Sequence, residues 1–303
     1  MNDPLFFHRH QYAEQLINSL KAGITHAFTL FAPRRMGKTQ FLLQDIKPKA
    51  EAAGFNVFYF SFMDSANPAA DFQIALLRFA EQIKTGSKVK NIISQINKIE
   101  IMGVGVEREI AAGEVPRLSD LIALIASDNR PSLLLLDEIQ ELARRPDTDG
   151  LIRSLRTGLD INQAQIKTIF TGSSTNGLRA MFNDNKAPFF HFAHALDFPL
   201  LGKDFTDFLA NVYYDRTAKQ IDKDSIYQLF KRLNYTPMYM RAIIQDMILN
   251  PALTLETAAE SRLAELNQAY GEIAQWQQMK PSQRIIIKDI AQAHHTSPYS
   301  QET

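Results

Sequence analysis

The chain has 303 residues, 45% hydrophobic and 22% charged, enough apolar content for a sizeable core in one large domain or two to three smaller ones. Its 33 basic and 33 acidic residues cancel, which excludes a global basic field for nucleic acid and leaves only a local patch open. Without cysteine there are no disulfides, thiolate zinc sites or cysteine nucleophiles. No apolar run reaches the length of a membrane span, and Met1-Asn2-Asp3-Pro4 lacks the regions of a signal peptide, so a soluble cytoplasmic chain with no membrane partner is expected.

Phe6 to Leu20 is expected as a helix, with Tyr12, Leu16, Ile17 and Leu20 at helical spacing and Lys21-Ala22-Gly23 as its stop. His8 and His10 at its start read as surface residues rather than ligands, because no acidic residue stands at metal-binding spacing from them.

The stretch that organises the chain comes next: Phe28-Thr29-Leu30-Phe31-Ala32-Pro33-Arg34-Arg35-Met36-Gly37-Lys38-Thr39. An apolar β-prone run leads into a turn, and Gln40-Phe41-Leu42-Leu43 reads as helix. This is the strand–loop–helix of a P-loop, G-x-x-x-x-G-K-[ST], with Ala32 in place of the first glycine. The nucleotide-binding residues on this reading are Ala32, Pro33, Arg34, Arg35, Met36, Gly37, Lys38, Thr39 and Gln40. Backbone N–H groups around Arg35 to Thr39 can wrap a phosphate at the positive end of the following helix. Gly37 lets the backbone approach without a Cβ, Lys38 reaches the β- and γ-phosphates, and the Thr39 hydroxyl serves Mg²⁺. The plain alternative is a strand–turn–helix that happens to contain Gly-Lys-Thr. The preceding helix then either flanks the adenine or merely covers the sheet.

Gly54 leads into Asn56-Val57-Phe58-Tyr59-Phe60-Ser61-Phe62, nearly all β-formers, which reads as a strand buried on both faces. A helix over Asp71 to Ile83 follows, and the alternation of strand and helix implies a parallel sheet with crossovers. Between Ser87 and Glu114 the pattern weakens. Ile101-Met102-Gly103-Val104-Gly105-Val106-Glu107 suggests an inserted hairpin or loop, either facing a partner or forming a plain surface excursion.

Leu118 to Ser127 reads as helix and delivers Pro131-Ser132-Leu133-Leu134-Leu135-Leu136-Asp137-Glu138-Ile139-Gln140-Glu141-Leu142. Four leucines ending in two acids describe a central strand with carboxylates at its C-terminal tip, where open α/β sheets hold ligands. Asp137 is the candidate for the Mg²⁺ shell, and Glu138 for orienting and deprotonating an attacking water. The two acids could instead cap the next helix. A helix from Asp149 to Leu159 carries Arg153 and Arg156. The strand Gln165 to Ser174 then ends in small polar residues. Ser173 and Ser174 are candidates to sense the γ-phosphate, or to cap a helix from Asn176 to Phe182.

His194 to Leu200 is a short final strand. After it the pattern turns helical: Gly202 to Tyr214, Lys223 to Leu233, Thr236 to Leu249, and one or two more from Thr254 to Met279. This reads as a lid, from which Arg241 either reaches the phosphates or stands as a solvated arginine. Pro281 to Ala293 is amphipathic, and Thr296 to Ser300 begins another helix.

Taken together, Ala32 to Thr39, Leu136-Asp137-Glu138-Ile139-Gln140-Glu141-Leu142, Gly172-Ser173-Ser174 and Asn234-Tyr235-Thr236-Pro237-Met238-Tyr239-Met240 resemble the P-loop ATPases of the AAA+ superclass and its STAND branch, in particular the prokaryotic archaeal-type ATPase family. The resemblance spans about residues 5 to 300. It implies an ATP- and Mg²⁺-binding α/β core (1–201, with an insert at about 85–115), an α-helical lid (202–279) and a C-terminal winged helix. Residues 280–303 resemble only the start of that last domain, which implies a chain cut short relative to relatives. Two departures stand out: Ala32 replaces the family glycine, and Pro188-Phe189-Phe190-His191-Phe192-Ala193 lacks the arginine common there, so that Arg179, Arg153 or a neighbouring subunit would have to supply it.

Three functions follow as expectations. The first is an ATP-hydrolysing switch whose core–lid movement is passed to a protein partner or a second copy. The second is a DNA-associated loader or remodeller, for which Lys84, Lys88, Lys90 and Lys98 in the insert supply the basic feature. The third is a nucleotide-binding scaffold with little turnover. A small-molecule kinase is weaker, since Glu138 is superfluous to it. No Asn-Lys-x-Asp stretch is present to read guanine, which favours adenine.

Overall fold

Consecutive leucines are stable in a strand only where both faces are covered, and the leucine run sets the layering here. β3 (Ser132–Asp137) is buried throughout, and its side chains divide by parity: Leu133 and Leu135 join one core cluster, Leu134 and Leu136 the other. The computed structural model describes residues 3–64, 67–83, 117–143, 148–172, 178, 181–182, 185, 187–260, 262–264, 279 and 283. Among these, Phe6 to Leu200 form one compact unit, and Leu201 onward with Asp3 to Leu5 form a second.

The first unit is built on a five-stranded parallel sheet in the order β2-β3-β4-β1-β5, with β1 Ala27–Phe31, β2 Asn56–Ser61, β4 Ile166–Gly172 and β5 His194–Asp197. Helices cover both faces. On one, α1 (His10–Lys21) contributes Ala13, Leu16, Ile17 and Leu20. The helical run after the P-loop (α2 Lys38–Phe41, a π turn Leu42–Ile46, α3 Lys47–Ala52) contributes Phe41, Leu42, Ile46 and Ala50. On the other, α4 (Pro68–Ile83), α5 (Leu118–Ala126) and α7 (Asp149–Ile161) pack Phe72, Leu76, Leu121, Ile122, Ile125 and Leu155 against Phe58, Leu134, Leu136 and Phe170. Each fully buried leucine of this kind is worth about 1.5–3 kcal/mol. Gly158 on α7 lets that helix approach α5: a Cβ there would lie 2.7 Å from Ile122 Cδ1.

Several expectations change. The first helix starts at His10, not Phe6; the segment before it is non-helical and held by side-chain bonds described below. β2 is not buried on both faces. It is an edge strand, and only Phe58 of its six residues is buried. Its β-branched and aromatic content matched the pattern of a central strand, and sheet order decided otherwise. β5 forms the opposite edge. The insert, its lysines, Ser173, Ser174, Arg179 and, apart from Gln283, the winged-helix segment lie outside the described residues.

In the second unit, α8 (Lys203–Thr217), α9 (Lys223–Arg232) and α10 (Pro237–Leu249) follow one another. Asp222 caps α9 by accepting from the Ser225 N–H at 2.7 Å. Pro237 begins α10, where its missing N–H costs nothing. Phe205 and Phe230 meet at 5.1 Å in the buried interior.

Candidate functional site

Three parallel strands end side by side and present their tips together: β1 leads into the P-loop, β3 ends at Asp137, and β4 ends at Gly172. Parallel pairing puts all their C-terminal ends on one edge, so residues far apart in sequence meet there.

The P-loop reverses direction through two left-handed residues, Arg35 (φ 70°) and Gly37 (φ 86°). Alternating right- and left-handed residues turn successive N–H groups inward, forming an anion-binding concavity. Ala32, in the place of the first glycine, keeps a negative φ and is buried, so its methyl group requires no strain. Pro33, Arg34 and Arg35 are exposed and Met36 is buried.

Lys38 is 5% exposed, and its ammonium donates to the carbonyls of Ala32 (2.8 Å) and Pro33 (2.9 Å). Burial pulls its pKa below the ordinary lysine value; Glu138 and Asp137 oppose that shift and Arg34 adds to it. Two neutral carbonyls compensate a buried cation poorly, so an incoming phosphate gains by replacing them.

Asp137 is 1% exposed and receives three hydroxyls. Thr39 Oγ1 donates to its Oδ2 at 2.6 Å, Tyr59 donates to the same oxygen at 3.3 Å, and Thr171 donates to Oδ1. A hydroxyl and a carboxylate this close form an all-oxygen donor pair, which fits Mg²⁺, a hard cation that keeps waters and takes one or two carboxylates.

Glu138 has φ 56°, a left-handed conformation that costs a non-glycine residue about 1–3 kcal/mol. Its carboxylate accepts from Gln140 Nε2. Gln140 opens the short helix α6 (Gln140–Ala143) and is 1% exposed. Gly172 makes room for that amide, since a Cβ at residue 172 would sit 2.2 Å from Gln140 Oε1.

Sequence reasoning singled out Lys38, Thr39, Asp137 and Glu138, and the fold brings these together. It missed Tyr59, Thr171 and Gln140. Thr171 was one strand register away from being found: Leu136 pairs with Phe170, which sets Thr171 level with Asp137. Arg241 belongs to the second unit, where it pairs with Asp3. Arg156 is engaged structurally, over the Phe192 ring at 4.3 Å and with Asp160 at 2.6 Å, while Arg153 is exposed on α7. Among the described residues no helix is long and apolar enough to cross a membrane.

No protein-family model matches the chain, and neither does any curated protein sequence. Solved structures do. A Walker-type ATPase of Pyrococcus abyssi is similar at 17% identity and TM-score 0.57, covering 95% of this chain and 81% of that one. The ADP form of the Aeropyrum pernix ORC2 protein is similar at 15% identity and TM-score 0.54, over 88% of this chain and 70% of that one. Cdc6p of Pyrobaculum aerophilum follows at 15% identity and TM-score 0.50, over 82% and 65%. The likeness is one of fold: a parallel sheet flanked by helices, shared with these proteins.

Proposed function

We propose that the chain is a Mg²⁺-dependent ATPase that works as a nucleotide-controlled switch. The observation carrying this reading is the convergence at one sheet edge of a buried lysine, a hydroxyl–carboxylate pair and a strained second acid: Lys38, Thr39–Asp137 and Glu138. In this reading the N–H groups from Arg35 to Gln40 bind the phosphates, and Lys38 exchanges its two carbonyls for β- and γ-phosphate oxygens. Thr39 and Asp137 are the residues that would hold Mg²⁺, which would neutralise charge on the phosphates. Tyr59 and Thr171 hold the Asp137 carboxylate in orientation by donating their hydroxyls to it. Glu138 takes a proton from water as the water oxygen bonds to the γ-phosphorus and the bridging P–O bond breaks, releasing ADP and phosphate. Ser173 and Ser174 sense the γ-phosphate. The domain plan proposed is a core over 1–201, a lid over 202–279 and the start of a winged helix over 280–303. A switch needs different contacts with ATP and ADP, and Lys38 and Ser173 are the groups that would make them.

The test is phosphate release with ATP and Mg²⁺ on the unmodified chain beside Lys38→Ala and Glu138→Gln, over a range of protein concentration and with and without DNA. Lys38→Ala is expected to lose nucleotide binding. Glu138→Gln is expected to keep binding and lose turnover by roughly 10²–10⁴-fold. A rate that rises with protein concentration identifies an arginine supplied by a second copy. DNA stimulation with a steep salt dependence selects the DNA-associated reading. Binding without turnover in every condition overturns the hydrolase and leaves a scaffold.

A further inference from the structure

The segment before α1 is fastened to the helical run leaving the P-loop through one buried carboxylate. Asp45 lies in the π turn Leu42–Ile46, and its side chain is 0% exposed. A π turn inserts an extra residue into a helix and redirects the side chains it carries; such turns recur at functional sites. Here the turn carries Asp45, which meets residues 8–10. His8 Nδ1 stands 2.7 Å from Asp45 Oδ1, and His10 Nδ1 stands 3.6 Å from the same oxygen. The Arg9 N–H donates to Oδ2 at 3.0 Å, which fixes the carboxylate's rotation and leaves Oδ1 to the two imidazoles. The rings themselves are stacked, 4.5 Å apart and 13° from parallel.

We propose that His8, His10 and Asp45 form a binding site for a divalent transition-metal cation of the zinc class, separate from the Mg²⁺ position at Thr39 and Asp137. The three ligand atoms lie within 4.8 Å of one another. Two ligands bound to Zn²⁺ at about 2.0–2.1 Å in tetrahedral geometry stand roughly 3.3 Å apart. The separations of 2.7 and 3.6 Å bracket that value; because the rings are stacked, the exposed His10 ring must turn away from parallel for both Nδ1 lone pairs to meet one ion. Two imidazoles and one carboxylate are a donor set that selects borderline cations over Mg²⁺ or Ca²⁺, which prefer all-oxygen shells. The His8 and His10 side chains are 44% and 70% exposed, so water can enter and complete the coordination sphere. The Arg9 guanidinium is directed instead to the Phe198 ring, at 4.2 Å, and to the Pro199 carbonyl. The Arg9 N–H on Oδ2 acts as the supporting bond that metal-ligating carboxylates usually have. Both histidines are at the surface, as the sequence suggests, but their acidic partner comes from 35 to 37 residues away, beyond any local spacing rule. A bound cation would tie the segment before α1 to the helix that carries Lys38 and Thr39.

The test uses the full chain without nucleotide, in excess Mg²⁺ so that oxygen sites are occupied. Zn²⁺ affinity and stoichiometry are read by competition with a chromogenic chelator, and Co²⁺ is added separately for its visible spectrum. The variants are His10→Ala, Asp45→Asn and, as a control for the adjacent histidines late in the sequence, the double variant His294→Ala/His295→Ala. The expected result is one Zn²⁺ per chain, weakened at least ~10-fold in His10→Ala and in Asp45→Asn and retained in the double variant. Co²⁺ should give a nitrogen-ligand spectrum that His10→Ala abolishes, and Zn²⁺ should raise the Tm of the unmodified chain and of the His294→Ala/His295→Ala double variant but not that of His10→Ala. His10 is largely exposed, so its variant is expected to keep the circular dichroism of the parent. The proposal is overturned by a parent that binds no Zn²⁺, by unchanged affinity in His10→Ala, or by binding lost with His294 and His295 instead.

Discussion

Replacing Gly172 by alanine is a sharp test of how the second acid is held. The new methyl would lie 2.2 Å from Gln140 Oε1, 3.0 Å from Leu178 Cδ2 and 3.2 Å from Gln140 Cδ. Contacts below 3.0 Å essentially never occur for real Cβ atoms, so the amide must retreat by at least 0.8 Å. Gln140 is 1% exposed, and its Nε2 bonds the Glu138 carboxylate, so the retreat is passed to that acid. Overpacking of this size costs about 1–3 kcal/mol in stability. A displacement near 1 Å at a reacting group costs roughly 10²-fold in rate. On the proposed reading, ATP affinity is a property of the P-loop after β1 and is expected to change little. Urea unfolding, fluorescent-nucleotide titration and phosphate release separate the three effects. Adding Gln140→Ala should restore stability without restoring turnover, since the methyl then has space but Glu138 has lost its partner. Unchanged turnover in Gly172→Ala would refute the argument that Gln140 positions Glu138. A loss of ATP binding matching the loss of rate would refute it equally.

Two further outcomes follow from packing and charge. Gly158→Ala should lower the urea midpoint, because a Cβ 2.7 Å from Ile122 Cδ1 and 3.1 Å from Ser119 Cα overpacks the α5–α7 contact. That cost, about 1–3 kcal/mol, outweighs the ~1 kcal/mol of helix propensity gained, and a raised midpoint would count against the close approach. His26 has a pKa below the ordinary histidine value, chiefly through burial and next through Lys167, while its ring packs edge-on against Phe192 at 4.8 Å. A histidine depressed in the folded state contributes stability above the unfolded value of 6.5 and loses it as pH falls through the folded value. The chain should therefore weaken as pH falls from 6.5 to the folded value, by less than ~1.4 kcal/mol per pH unit from this one proton. His26→Phe should flatten that part of the urea-midpoint profile, and an unaltered profile would assign the acid sensitivity elsewhere.

What the sequence by itself determined is local. The leucine run, the Gly-Lys-Thr turn and the Asp-Glu pair each carry their structure within a dozen residues, because hydrophobic period, turn chemistry and strand length are short-range properties. That was enough for a parallel α/β sheet with a P-loop at one strand tip and acids at another. Pattern could not say which strands were neighbours. Phe58, Tyr59 and Phe60 have the composition of a central strand, yet β2 is an edge, since strand order depends on which helices cover which face.

The same limit governed the site. Thr39, Tyr59 and Thr171 converge on Asp137 from 98, 78 and 34 residues away, and those separations mean nothing until the sheet is assembled. His8 and His10 were legible as a pair but not as ligands, because their carboxylate reaches them only through the π turn at Asp45. Side-chain chemistry is written residue by residue. Which carboxylate faces which hydroxyl or imidazole is a product of strand register and helix phase, and only the tertiary structure decides those.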